Sequence, residues 1–380
     1  MVLKKYKIGD ILELQRGYDL PSSQMEDGDV LVAGSNGIIG THNVARGKMP
    51  CITVGRSGSV GKVHFYEQPV WAHNTSLFVK DYKGNDPKYL FYFLRNLHLD
   101  EIFGKSSSVV PSLDRKVVHA MTIPFQDDID KQKNIAHTLS LLDEKIALNR
   151  AINDNLEAMA KQLYDYWFVQ FDFPNEEGKP YKSSGGKMVW NEKLKQEIPD
   201  GWSDSTLSEI CVMYQPQTIG TDLLLPNGVY RVYGANGIVG KYDQYNHEDS
   251  EIAMACRGNS CGVVNRTMPY SWITGNAMVL QMKDKGVSNE YIKQSVSYMN
   301  ISGAISGSGQ PQLTRENLNI VKCLKPAHNV LLSFSQLIEP IVTAQLHIIE
   351  ENDKITKLRD DLLPLLMNGQ VSVNYHLSDD

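Results

Sequence analysis

Cysteine is sparse: five residues, Cys51, Cys211, Cys256, Cys261 and Cys323, an odd number with no C-x-x-C pair and no Cys/His ligand spacing. That excludes a disulfide framework and a zinc site and reads as reduced thiols. Long apolar runs are missing too: nowhere do about eighteen apolar residues follow one another, and the start MVLKKYKIGD has no apolar core. Neither membrane insertion nor secretion is expected, and a cytoplasmic location is the default. There is no surplus of positive charge, since 38 Lys and Arg stand against 44 Asp and Glu, a formal net charge of -6. This does not advertise nucleic-acid binding, although a protein can confine its cations to one groove while acids cover other faces. What is present is an ordinary globular composition over 380 residues, enough for two or three domains with their own cores.

Two stretches have the spacing of long helices. From about Asp130 to Trp167 apolar residues recur at intervals of three and four, at Ile135, Leu139, Leu142 and Ile146, then Ile152, Leu156, Met159 and Leu163, with no Pro or Gly between. At about 1.5 Å per residue such a helix spans roughly 55 Å, too long for one small domain to bury, so it needs a partner helix. Leu331 to Met367 supplies one, with Ile338, Ile341, Ile348, Ile355, Leu358, Leu362 and Leu365 at the same spacing and Gly369 as a stop. Pro340 and Pro364 point to kinks or frayed ends, and Asn149, Asn153 and Asn352 fall near the seam, where a polar residue fixes register. Two helices packed in one common core would share this pattern.

The chain also repeats itself. Val32-Ala-Gly-Ser-Asn-Gly-Ile-Ile-Gly40 matches Val232-Tyr-Gly-Ala-Asn-Gly-Ile-Val-Gly240 at six of nine places, and the surroundings keep the register. Gly55-Arg56-Ser57-Gly58-Ser59-Val60-Gly61 parallels Cys256-Arg257-Gly258-Asn259-Ser260-Cys261-Gly262, and Trp71 parallels Trp272. A Ser-rich loop followed by Pro111, Leu113 and Arg115 parallels one followed by Pro311, Leu313 and Arg315. The organisation is therefore globular unit, long helix, globular unit, long helix.

Within each unit the expected elements are short and mixed. Asn36-Gly37 and Asn236-Gly237 suggest tight turns with positive φ, Cys51–Val54 and Met278–Gln281 look like strands, and Pro87–Leu97 and Ser288–Met299 have helical spacing. An α+β domain with many Gly/Ser loops fits. Between the halves, Phe173 to Trp202 holds Pro174, Gly178, Pro180, Ser183-Ser184-Gly185-Gly186, Pro199 and Gly201, which reads as a linker.

Two catalytic look-alikes fail on their residues. Gly55 through Gly61-Lys62 has one residue too many between its outer glycines for a phosphate loop, Val63 stands where Ser or Thr must bind magnesium, and the second copy lacks the lysine. Asp172, Glu177 and Lys179 resemble a nuclease's carboxylates and lysine, but they lie in the Pro/Gly stretch with no second copy. No methyltransferase motif or Ser/His/Asp arrangement stands out.

What remains is a set of loop residues that repeats. Arg56 and Arg257 share a slot in the Gly-rich loops, and Arg115 and Arg315 follow the Ser-rich loops; arginine can read guanine through two donors or clamp phosphate. Asn36, Ser57, Ser59, His73, Asn74 and Lys105 in the first unit supply adenine-type or phosphate contacts, as do Asn236, Asn259, Asn276, Gln310 and Gln312 in the second. Any one of these, taken alone, reads more readily as a turn cap or an exposed polar residue, and only the paired occurrence raises the group above that.

At this point the chain resembles the specificity subunit of type I restriction-modification enzymes. The marks are the helix ending Leu163-Tyr-Asp-Tyr-Trp-Phe-Val-Gln-Phe-Asp-Phe173, the return Glu197-Ile-Pro-Asp-Gly-Trp202, the Ser-rich loop with Pro-x-Leu-x-Arg, and the close Leu362-Leu-Pro-Leu-Leu-Met-Asn-Gly369. The resemblance implies two target-recognition domains, 1–126 and 203–326, a linker over 173–202, a tail over 371–380, and spacer helices over 127–172 and 327–370 that pack as an antiparallel coiled coil with pseudo-two-fold symmetry. It further implies that double-stranded DNA is read at a bipartite asymmetric site and that this chain is not itself catalytic. It implies as well that two methylation (M) subunits using S-adenosylmethionine dock on the helices, with Leu142, Ile146, Leu156, Leu163, Ile348, Ile355 and Leu362 as the expected positions. By the same resemblance restriction/translocase (R) subunits are expected to use ATP and Mg, and this chain to hold no cofactor and no metal itself. A related system with a fused methylase-nuclease partner, a protein-only coiled-coil adaptor, and a nuclease using Asp172, Glu177 and Lys179 are the alternative readings.

Overall fold

The computed structural model describes residues 3–104, 112–235, 237–307 and 309–373. Lys105, the Ser106–Pro111 stretch, Asn236 and most of the tail lie outside the described residues. Contacts divide the chain into two compact units, Met1–Asn149 with Glu351–Asp380, and Arg150–Glu350.

In the first unit Cys51–Gly55 is buried at every residue, as expected of CITVG, a β-prone run with no charged side chain. It lies inside a four-stranded antiparallel sheet ordered Glu13–Arg16, Ser76–Asp81, Cys51–Gly55, Val63–Tyr66. A second sheet is ordered Gly37–His42, Val30–Gly34, Val70–Ala72, the last strand running parallel. Asp86 caps the helix Pro87–Asn96 by accepting from the Tyr89 N–H, and the proline sits where its missing donor costs nothing. That helix buries Tyr89, Leu90, Tyr92, Phe93 and Leu94. Ile135, Ala136 and Leu139 from the start of one long helix, and Leu363, Leu366 and Met367 from the end of the other, complete the core.

The second unit repeats this plan. Its four-stranded sheet is ordered Cys211–Tyr214, Ala277–Met282, Ile252–Ala255, Val264–Arg266, and its three-stranded sheet Gly237–Tyr242, Tyr230–Gly234, Trp272–Ile273. Pairing is conserved to the residue: Val32 faces Gly40 and Trp71, Val232 faces Gly240 and Trp272, and a bulge follows each valine. The expected helix appears as Asn289–Tyr298, capped by Ser288. Ala160, Tyr164, Trp167 and Phe168 from one long helix, and Phe334, Ile338 and Val342 from the other, enter its core. The expected α+β architecture with long helices is thus observed.

The long helices run Ile129–Tyr164 and His328–Met367. The first ends in a five-residue π turn, Asp165–Val169, and the second stops before Gly369 at φ 70°. Helical structure continues through Pro340 and Pro364. Within each unit the two run antiparallel: Arg359 bonds Asp143 at 2.6 Å and Asn149 bonds Asn352 at 3.0 Å in the first, while Gln345 bonds Glu157 at 3.0 Å and Phe334 lies 5.9 Å from Trp167 in the second.

The apolar seam differs from the heptad reading in part. Ile152, Met159 and Leu358 are exposed, whereas Ala160, Tyr164, Leu363 and Leu366 are buried. Near its ends each helix packs on a globular unit as well as on a helix, and that larger surface selects the inward face.

The 173–202 stretch, expected as a linker, is largely exposed but is pinned by aromatic contacts and a short hairpin. The Phe173 ring stacks on Trp202 at 4.9 Å and on Tyr181 at 4.7 Å, and Met188–Asn191 pairs with Gln196–Pro199 around the buried Ile198. Gly178, Gly185 and Gly201 adopt φ of 74°, 87° and 82°. They make tight turns between aromatic side chains, and tight turns and linkers draw on the same residues.

Candidate nucleic-acid interface

In the first unit the hairpin turn, the Gly-rich loop and the segment after Val70–Ala72 come together. Gly37 takes φ 108°, leaving the Asn36 side chain exposed, with its carbonyl oxygen accepting from Lys62 Nζ at 2.7 Å. A Cβ on Gly55 would lie 1.9 Å from the Ser59 carbonyl and 2.8 Å from that of Ser35, so only glycine lets the loop close against the hairpin. Arg56 Nε donates to the Asn74 carbonyl at 3.1 Å, the Asn74 amide bonds Asp19, and His73 Nδ1 meets Thr75 Oγ1 at 2.9 Å. Lys62, which in the sequence enters only as the lysine of the phosphate-loop look-alike, is a further cation at this surface. Strand Val63–Tyr66 follows it directly, where a phosphate loop would open a helix. Burial, and then the Lys62 ammonium, hold the neighbouring His64 imidazole below its usual pKa.

The Gly-rich loops are equivalent, but their arginines are not. Leu113 N–H donates to the Arg56 carbonyl at 2.9 Å, and Leu313 N–H to the Cys256 carbonyl at 2.9 Å. Isolated bridges join Ser57 to Ser112 and Arg257 to Gln312. Gly58 and Gly258 take φ of 83° and 73° at the same place. Backbone register therefore pairs Arg56 with Cys256 and Ser57 with Arg257, correcting the shared slot read from the sequence. The second loop has one more residue before its closing glycine and absorbs it in the 3-10 turn Gly258–Ser260. Successive residues of extended chain face opposite ways. Arg56 is accordingly half-buried and folded back, while Cys256 is buried and Arg257 is exposed.

Arg115 and Arg315 do share a slot. Each is the exposed first residue of a short helix, Arg115–Ala120 capped by Asp114 and Arg315–Asn319 capped by Thr314. Gln310, Gln312 and Asn259 are exposed, Ser57 and Ser59 are half-buried, and the Asn276 carbonyl accepts from Cys256 N–H at 3.0 Å. Lys105 and Asn236 lie outside the described residues.

The nuclease look-alike dissolves on inspection of its bonds. Asp172 accepts from the Ser183 N–H and hydroxyl, and Glu177 pairs with Lys179 at 2.9 Å on the surface. Among the described residues no three His, Cys, Asp or Glu side chains are placed to hold a metal ion, and no helix is long and apolar enough to cross a membrane. Burial pushes the Cys51, Cys211 and Cys323 thiols up to about 12, so these three are inert packing groups.

Comparison with known proteins agrees with this duplicated plan. The family model of the type I restriction modification DNA specificity domain matches residues 3–158 and 199–323, each segment carrying one full set of hairpin, Gly-rich loop and capped arginine. The type I restriction enzyme MjaIX specificity subunit of Methanocaldococcus jannaschii is 21% identical over 353 residues, covering 83% of this chain and 76% of that protein. The HindI specificity subunit of Haemophilus influenzae is 23% identical over 363 residues, covering 75% and 77%. The crystal structure of a type I restriction-modification system S subunit from M. genitalium, 17% identical, has the same fold, with a TM-score of 0.61 over 96% of both chains. With well over half of its residues matched in two segments, the chain belongs to the family of type I restriction-modification DNA specificity subunits.

Proposed function

We propose that this chain binds duplex DNA at a bipartite, asymmetric site, one half read by each unit, and directs adenine methylation or cleavage by partner subunits. The observation that carries this is a duplicated loop set with one backbone register and different side chains: Arg56 against Cys256, Ser57 against Arg257. Identical halves would demand a palindrome, whereas diverged halves in one chain read two different sequences. The chain itself is non-catalytic and cytoplasmic. Two M subunits bring S-adenosylmethionine, and R subunits bring ATP and Mg.

The long helices serve as spacer and docking surface. Of the positions expected to dock partners, Ile146 is buried, while Leu142, Leu156, Leu163, Ile348, Ile355 and Leu362 are half-buried. Leu141 and Leu148 in the first unit and Ile152 and Met159 in the second offer more free apolar surface, being 48%, 57%, 38% and 51% exposed. Such solvated apolar side chains on a helix suit a partner helix.

The test uses the full chain with its methylation partner on a pool of random duplexes. Selected DNA should contain two different half-sequences separated by an unread spacer. Arg257→Ala should relax discrimination in one half only, by about 1 to 3 kcal/mol. A uniform loss over all sequences would make Arg257 a phosphate contact, and failure to enrich any sequence would refute DNA recognition. Methyl transfer or cleavage by the chain alone, supplied with S-adenosylmethionine, ATP and Mg, would refute the non-catalytic role.

A further inference from the structure

The loop between Gly37–His42 and Cys51–Gly55 reads Asn43-Val-Ala-Arg-Gly-Lys-Met49, two cations and no acid in a chain of net charge -6. Its backbone is tied beyond the edge of the three-stranded sheet, since Arg46 N–H donates to the Val70 carbonyl at 2.9 Å and Ala72 N–H to the Arg46 carbonyl at 3.0 Å. This brings the Arg46 guanidinium to 4.8 Å from the Trp71 ring centroid and 5.2 Å from that of Tyr18. Those rings are fixed. Trp71 is buried, its indole N–H donates to the Tyr18 carbonyl at 3.2 Å, and His42 meets its edge at 5.1 Å.

Stacking engages the faces of a guanidinium and leaves its in-plane fork of donors free. Arg46 is exposed, and no carboxylate or carbonyl among the described residues accepts from its side chain. The side chain has already been ordered by the aromatic rings, so a ligand taking its donors meets a preset geometry.

The second unit builds the same tryptophan without the arginine. Trp272 N–H donates to the Gln217 carbonyl at 3.3 Å, and Tyr242 meets its edge at 5.6 Å. There Asn246 keeps the backbone tie on one side, its N–H donating to the Ser271 carbonyl at 3.1 Å, and its side chain makes the other: Ile273 N–H donates to Asn246 Oδ1 at 2.8 Å and Asn246 Nδ2 to the Ile273 carbonyl at 3.0 Å. The tied loop position that holds Arg46 in the first unit holds an uncharged asparagine in the second. The aromatic framework is thus common to both units, and the guanidinium is an addition to one.

We propose that Arg46 is a DNA-phosphate clamp belonging to the first recognition unit alone. Resting on the DNA-reading function above, it fixes where the first half-site lies and contributes nothing to which bases are read. Phosphate is favoured over a base edge by position. Arg46 sits on a loop beyond the edge strand, whereas the candidate base readers His73 and Asn74 extend from that strand's end; Lys48, two residues on, is taken up by Asp81 at 3.9 Å.

The experiment titrates the full chain with its methylation partner, and the same complex carrying Arg46→Leu or Arg46→Lys, against a duplex selected by the unchanged complex, between 50 and about 200 mM salt. Arg46→Leu should bind about tenfold more weakly on every duplex tried, with the log-log salt slope reduced by about 0.9, the signature of one lost phosphate contact. Arg46→Lys should restore the slope and only part of the affinity, since an ammonium cannot reproduce the two-donor fork. The slope does not depend on the fraction of molecules folded, so it decides even for a less stable variant. An unchanged slope makes Arg46 a strut for its loop and overturns the proposal. A loss confined to one base pair of the first half-site makes it a base reader and overturns it equally. If the unchanged complex binds no duplex, the DNA-reading function itself falls, which is a separate result.

Discussion

Asp172 shows how one side chain can be misread from its neighbours in sequence. It accepts from the Ser183 N–H at 2.7 Å and from the hydroxyl at 2.6 Å, and the hydroxyl bond above all holds its carboxyl below the usual range. The residue is 9% exposed and follows Phe171, whose φ is 64°. Asp172→Ala would leave these donors unmatched, and a loss of about 1 to 3 kcal/mol from the second unit is expected, with no dependence on magnesium. A depressed acid contributes stability above its unfolded pKa and loses it as pH falls through the folded one, so the penalty should shrink on going from pH 7 to about pH 3. A melting-point loss that magnesium modulates would restore the metal-site reading. Glu251 has the opposite sign. Burial raises its pKa, and Oε2 has no hydrogen-bond partner among the described residues, although Oε1 accepts from Gln281 at 2.5 Å. Raising the folded pKa of an acid means that stability is lost as pH climbs through the window above the ordinary glutamate value. Glu251→Gln keeps the Gln281 bond and removes the charge; it should raise the melting temperature at neutral pH and flatten the pH dependence there. A lower melting temperature at neutral pH would show that the charge of Glu251 is needed, by Lys285 first and then Arg266.

At the scale of elements, the join between the long helices in the first unit depends on a polar contact. Asn149 is buried, and its amide donates to Glu351 at 2.6 Å and to Asn352 at 3.0 Å, with Lys145 3.3 Å from the same Glu351. Asn149→Asp would set a carboxylate that only accepts against two acceptors. The melting temperature of the chain should fall at pH 7 and recover in part at about pH 4.5, where one of the acids is protonated. Asn149→Leu should cost little or raise it, at the expense of register. Equal melting of parent and Asp variant at both pH values would mean that the contact is not made in solution. Elements like these were largely legible: the helices announced themselves by periodicity, and the paired hairpins by Asn-Gly and the repeated valine and tryptophan. The inward face of each helix was not, because a third surface decides whether Met159 or Ala160 is buried. Nor was the offset of Arg56 and Arg257, since aligning like residues hides an insertion that only the bonds to Leu113 and Leu313 locate. The Trp-Phe-x-x-Phe-Asp close was legible as a family mark but not as physics. In three dimensions Trp167, Phe168 and Phe171 are buried around Trp202, with the π turn and the positive φ of Phe171 turning the helix into that core.

For the whole molecule, the decisive question is whether the helices measure DNA. The contact division falls inside both, between Asn149 and Arg150 in the first and between Glu350 and Glu351 in the second. One heptad inserted at each of these points disturbs neither core and, by keeping both faces in phase, adds about 10 Å to each helix at about 1.5 Å per residue. At the B-DNA repeat of about 34 Å per turn that length corresponds to about three base pairs. The doubly extended chain should therefore select the same two half-sequences with a spacer about three base pairs longer, bound somewhat less tightly because the duplex twist between the halves has changed. Extending one helix alone shifts Asn149 away from Glu351 and Asn352 or Glu157 away from Gln345, and should lower the melting temperature instead. Sequencing the DNA enriched by each variant decides between the outcomes. Intact half-sequences at the original spacing, from a doubly extended chain that remains folded, would mean that something other than helix length sets the gap.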